Sequence, residues 1–150
     1  MVDKAILAAK LAAIRDSVAR VRQVLPASVE AFQLDRTVRE VVTLNLFIAL
    51  QETIALAAHW VADRGWSVPQ SYADVFTVLG DRRVIDRDLA RRLRAAAGLR
   101  NLIAHQYGVL NVDRLFAIAS NELDDLLGIC QQLAQRTEDE SGGEPKPQRQ

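Results

Sequence analysis

Residues 44–62, LNLFIALQETIALAAHWVA, decide what kind of protein this chain makes. Apolar side chains fall on almost every side of a helix drawn through this segment. Asn45, Gln51, Glu52 and His59 nevertheless break the run, so it lacks the roughly 18 uninterrupted apolar residues of a membrane span. The segment predicts a core helix that needs cover on more than the face turned to its own bundle, and a helix-to-helix contact with a second copy supplies that cover.

Outward from this segment the same period continues. The helix containing it is expected to start near Asp35 to Thr37, where Thr37 and Glu40 have capping-box spacing, and to end at Gly65. Upstream, Ile6, Leu7, Leu11, Ile14, Val18, Val21 and Leu25 recur at three- and four-residue steps, predicting a first helix from Asp3 to Leu25 that Pro26 stops. Downstream, Ser71 and Asp74 suggest a second capping box opening a short helix to Gly80. A further helix is expected from Asp86–Asp88 to Gly108, and a last one opens at Asn111–Asp113 and ends at Arg136. Most of the seven Gly and four Pro sit at the edges of these segments or beyond them. The expected fold is therefore all-α: an up-and-down four-helix bundle with an additional short helix, homodimeric. Residues 1–136 form its helical domain, and residues 137–150, which carry no apolar anchor, are expected to be a disordered tail.

Composition narrows the chemistry. The 150 residues carry 19 basic and 19 acidic side chains, so no global charge attracts nucleic acid, and any such role rests on a local patch. One cysteine, Cys130, and two histidines, His59 and His105, assemble neither a disulfide framework nor a zinc site with three or four Cys/His ligands, so neither metal nor cofactor is expected. The charged N-terminal residues lack a signal-peptide apolar block, which makes a cytoplasmic protein without a membrane partner the default. Cys130 reads as a small core residue, His59 as a hydrogen-bonded core or interface residue, and Trp60 and Trp66 as packing anchors.

A local patch does exist. Arg82, Arg83, Arg87, Arg91, Arg92, Arg94 and Arg100 face only Asp81, Asp86 and Asp88 within residues 81–100. Guanidinium groups suit bidentate phosphate binding, although such a block is more often a solvated helix face. The patch runs into Arg100, Asn101, Leu102, Ile103, Ala104, His105, Gln106, Tyr107 and Gly108. Arg, four residues, His, one residue and Tyr resembles the signature of the HepT-like toxins within the HEPN helical-domain superfamily. The likeness extends from LQETIALAAHW through VPQSYADVFTVL to GLRNLIAHQY, over about residues 5–133. One departure is Ala55, where many relatives carry an Asp four residues before the second-helix His; Glu52 is the nearest carboxylate that could compensate.

The resemblance implies a metal-independent endoribonuclease toxin, dimeric, acting on RNA such as tRNA or mRNA and silenced by an MntA-like nucleotidyltransferase antitoxin. It assigns catalysis to Arg100 and His105 and the modified hydroxyl to Tyr107, with Asn101, Arg91 and Arg94 as candidate substrate contacts. The residue types fit, because metal-free RNA cleavage needs proton transfer at the ribose 2′-hydroxyl and the departing 5′-oxygen, together with a cation on the phosphorane. Spacing poses a problem. At about 100° per residue His105 lies about 140° round the helix from Arg100, while Tyr107 lies only about 20° away. Fraying of the last turn, or a cleft shared by two copies, would reconcile them, and the second also explains the all-round apolar helix. In isolation His105 is more often a dipole-favoured helix end, and the competing readings are a non-catalytic accessory subunit of a nucleotidyltransferase and a purely structural dimer.

Overall fold

A computed structural model describes residues 3–105 and 110–143, and among these the secondary structure is entirely helical. Helix α1 spans Lys4–Val24, α2 Val29–Leu34, α3 Arg36–Asp63, α4 Tyr72–Asp81, α5 Arg87–His105, α6 Val112–Asn121 and α7 Leu123–Gly142. The long helices α1, α3, α5 and α7 form the bundle. Helix α3 is its axis, since it packs against all six of the others. It is long and apolar enough to cross a membrane, with a mean hydropathy of 1.7 in its most apolar window, but half of that window is buried in the bundle.

Local chemistry sets the helix ends. Asp3 caps α1, accepting from the amides of Ala5 at 2.8 Å and Ile6 at 3.3 Å. The α1 stripe of Leu7, Leu11, Ile14, Val18 and Val21 is buried. The cap of α3 is Asp35, whose carboxylate accepts from Val38 N at 3.0 Å. The expected Thr37–Glu40 box is not formed, because Thr37 lies inside the helix and Glu40 pairs with Arg36 at 2.8 Å. Likewise Ser71 stands at the N-cap of α4 without a side-chain cap bond, and Asp74 is drawn to Arg94 at 2.8 Å instead. Gly65 follows α3 at φ +69, a value glycine adopts freely.

The fold departs from the expected elements in three further places. Helix α2 was not legible, being six residues long and thus too short for periodicity; Ser28 caps it through Ala31 N, and it buries Phe32 against Phe116, with ring centroids 5.5 Å apart. The single last helix is two, broken at Glu122 (φ −113, ψ 0) without glycine or proline. Helix α6 packs on α2, while α7 carries Leu126, Ile129, Cys130 and Leu133 into the bundle, and one straight rod cannot serve both directions. The hydroxyl of Ser120, bonded back to Phe116 O at 2.7 Å, adds a bend just before the break. Finally, α7 does not stop at Arg136 but continues to Gly142. The extra turns are held from outside: both Glu140 oxygens accept from Arg64 Nη2, at 2.5 and 2.7 Å. Residues 137–142 therefore belong to a helix where a disordered tail was expected.

Gly80 is not the terminus expected of it. It lies buried inside α4, where a Cβ would meet Ala90 Cβ at 2.8 Å. The absent side chain is what lets α4 and α5 pack together. That contact brings Asp74 to Arg94 and Tyr72 to Arg100.

Candidate ribonuclease site

Arg100 is the best-anchored cation of the surface. Its Nε donates to Gln51 Oε1 at 2.7 Å and its Nη1 to Asn101 Oδ1 at 3.2 Å. The guanidinium carbon lies 5.4 Å from the ring centroid of Phe47 and 5.0 Å from that of Tyr72. Three elements thus converge on one side chain: Phe47 and Gln51 one turn apart on α3, Tyr72 at the start of α4, and α5 itself. Among the described residues no carboxylate pairs with Arg100 and Nη2 has no hydrogen-bond partner, so the fork keeps its full charge with one arm free. A cation stacked on aromatic faces and oriented by a neutral acceptor is preorganised to receive a phosphate.

Beside it lies an apolar groove of about 270 Å³, lined by Glu40, Thr43, Leu44, Phe47, Ile103 and Ala104. A second hollow of about 280 Å³ shares Glu40 and Thr43 and is bounded by Arg36, Arg39 and Leu110. Ile103 and Ala104 of the last turn of α5 line the first hollow and Leu110 the second; Tyr107, the expected modification site, lies outside the described residues. Helix α5 stays α-helical through His105. The angular offset of about 140° therefore stands: Arg100 turns to α3, and His105 is exposed on another side. The two side chains do not meet within one copy by fraying.

Other expected residues are placed less simply. Asn101 is exposed and bonded to Arg100. Arg94 is held by Asp74 and by the Thr77 hydroxyl, Arg92 by Asp125 at 3.0 Å, and Arg91 only loosely by Asp88 at 3.5 Å. Much of the arginine stripe thus ties helices together. Glu52 does not compensate for Ala55, since it faces α1 and pairs with Lys10 at 3.0 Å. The polar group that does reach Arg100 is Gln51, one turn before Ala55 on the same face of α3. Neither it nor its aromatic neighbours were legible, because the pairing joins residues 49 apart in sequence and depends on how α3 and α5 cross.

Near the end of α3 the guanidinium of Arg64 lies 4.8 Å from the Trp60 ring centroid, and that of Arg82 lies 4.7 Å from the Trp66 centroid, so both indoles anchor packing. His59 Nε2 is buried and has no hydrogen-bond partner among the described residues. Cys130 is buried, and burial pushes its thiol from 9.0 up to about 11 against a smaller opposing pull from Arg15. Among the described residues no three His, Cys, Asp or Glu side chains are grouped to hold a metal ion.

The ribonuclease HepT-like family matches residues 14–133, a span running from α1 to α7 and containing every element of this site. The chain belongs to that family. Its relatives include the mRNA nuclease HepT of Shewanella oneidensis, 32% identical over 116 residues, which cover 77% of this chain and 86% of the relative. Among solved structures, the tri-AMPylated Shewanella oneidensis HEPN toxin in complex with MNT antitoxin superposes with a TM-score of 0.80 at 29% identity, covering 87% of this chain and 97% of that one. The cytosolic protein of unknown function YutE from Bacillus subtilis, at 14% identity, shares the fold alone, with a TM-score of 0.82 over 96% of each chain. The matched span contains Arg100 and His105, and Phe47, Gln51 and Tyr72, which clamp Arg100, fall within it as well.

Proposed function

We propose that this chain is the toxin of a toxin–antitoxin pair, a cytoplasmic, metal-independent endoribonuclease that two copies complete and that an MntA-like nucleotidyltransferase silences at Tyr107. One observation carries the reading: the Arg100 fork is held rigidly, un-neutralised and half-open at the edge of a groove, while the proton-transfer group His105 stands exposed on the same helix but a different face. A two-fold axis near the end of α5 would set His105 of one copy beside Arg100 of the other. In that cleft a base takes the proton of the ribose 2′-hydroxyl as its oxygen attacks phosphorus. Arg100 bears the charge of the phosphorane, and the 5′-oxygen leaves with a proton, giving a 2′,3′-cyclic phosphate. Nucleotidyl transfer to Tyr107 would place a phosphate near the Arg100 face and occupy its free arm.

Induced expression in a bacterial host tests this. Wild type should arrest growth and cut RNA in the presence of a chelator, and Arg100→Ala and His105→Ala should do neither while keeping a helical circular dichroism spectrum. Incubation with the partner enzyme and ATP should raise the intact mass of wild type but not of Tyr107→Phe. Undiminished toxicity in both alanine variants would refute the catalytic roles, and modification of Tyr107→Phe would refute the regulatory one.

A further inference from the structure

Arg87, Arg91, Arg94, Gly98, Asn101 and His105 follow one another along α5 at steps of four and three residues, which holds all six within about 40° of one line. All six are exposed, and none is acidic or apolar. The row is in phase with His105 and out of phase with Arg100, so it approaches the candidate site from the side opposite the α3 groove. Its length from Arg87 to His105 is about 27 Å at about 1.5 Å per residue.

Two features set this row apart from an ordinary solvated face. Gly98, at its centre, is not demanded by packing: a Cβ there would meet nothing within 4 Å, and no unusual φ requires glycine. Glycine is the weakest helix former apart from proline, yet here it leaves a bare strip of helix backbone between Arg94 and Asn101. The charges at the far end are also lightly held. Among the described residues Arg87 has no ion pair, and Arg91 meets Asp88 only at 3.5 Å with both side chains mostly exposed, an arrangement of little strength that a phosphate readily displaces. In a chain of zero net charge this concentration is local.

The geometry points to a path for the substrate: single-stranded RNA lies along α5 with phosphates on Arg87 and Arg91, its backbone closest to the helix at Gly98, and its scissile nucleotide at His105. Arg94, tied to Asp74 and Thr77, borders the path. This rests on the ribonuclease reading above and adds to it the length and direction of the RNA engaged. A flexible strand suits such a row better than a duplex does, because its phosphates can follow one helix and settle against a bare backbone.

The test uses labelled single-stranded RNA from three to twelve nucleotides long. Cleavage by the full chain is followed with length, and the inactive His105→Ala background is used for binding. Wild-type efficiency should rise with length, and Arg87→Gln/Arg91→Gln should abolish that rise. Two lost phosphate contacts lower the salt slope by about 1.4, which corresponds to roughly 25-fold weaker binding at 0.1 M salt. Gly98→Leu should impair long substrates with an unchanged circular dichroism spectrum and light-scattering mass, whereas Gly98→Ala should raise the melting temperature. Equal length dependence in wild type and the double variant would overturn the path. So would loss of self-association in Gly98→Leu, which would assign the face to a second copy. If wild type cuts no RNA of any length, the ribonuclease reading itself fails, a result unlike either of these.

Discussion

Gln51 offers the sharpest test of the site, because it can be altered without touching Arg100 or His105. Its amide oxygen sits 2.7 Å from Arg100 Nε, so Gln51→Leu removes the acceptor that aims the fork, and Gln51→Glu keeps the acceptor but adds a charge. A hydrogen bond to a charged group contributes about 1.5–3 kcal/mol when well buried. Arg100 is half-exposed and water can replace the lost acceptor, so the leucine variant should lose about 1 kcal/mol of transition-state binding, or about fivefold in kcat/KM. The glutamate variant should hold the guanidinium more tightly and still be worse. A carboxylate about 7 Å from the reacting phosphate repels it by about 2.4 kcal/mol at an effective dielectric of 20; allowing for screening at this open site leaves about 1–2 kcal/mol, or roughly 5- to 30-fold. The two variants separate further with salt, since only the glutamate penalty shrinks as ionic strength rises. Steady-state cleavage of labelled RNA across a salt series, with melting temperatures as control, measures both effects. If both variants stay within about twofold of wild type, the clamp does not serve catalysis.

Gly80→Ala should destabilise the fold by about 1–2 kcal/mol despite the better helix propensity of alanine, because the new Cβ would stand 2.8 Å from Ala90 Cβ and force α4 away from α5; thermal unfolding reads this as a few degrees. Leu44, 58% exposed on α3 beside the groove, should belong to the surface buried between copies, so Leu44→Glu should give a monomer by light scattering with intact secondary structure and lost cleavage. Cys130 should resist thiol reagents at neutral pH and react only on unfolding. With its thiol raised from 9.0 to about 11 in the folded chain, it contributes stability that is fully present below pH 9.0 and is lost as pH rises toward 11, which chemical unfolding at alkaline pH would detect. Cleavage should survive EDTA and stop when the scissile ribose is replaced by deoxyribose, as analysis of the product ends would show.

Much of the fold was legible because helices announce themselves locally. The stripe of α1 follows a three-to-four-residue period that needs no knowledge of neighbours, and Asn111 marked the start of α6 as a cap, accepting from Arg114 N at 3.0 Å. That Arg100 and His105 share one helix was likewise legible, since both lie within six residues of chain. Cap choice was less so: Asp35 and Thr37 are both competent, and only the packing of α2 against α3 decides which amide is left to satisfy. The break at Glu122 and the helical turns beyond Arg136 depend on partners far away, on α2 for one and on Arg64 for the other. The site divides in the same way. Composition and spacing alone put a cation and an imidazole on one helix and showed that they face apart. Which neighbours hold Arg100 is a property of two helices crossing, because Phe47, Gln51 and Tyr72 reach the guanidinium only once α3 and α4 are packed around α5. A sequence specifies residue types and their period along one helix; the distance between side chains on different helices is set by the packing of the core, and only tertiary structure contains it.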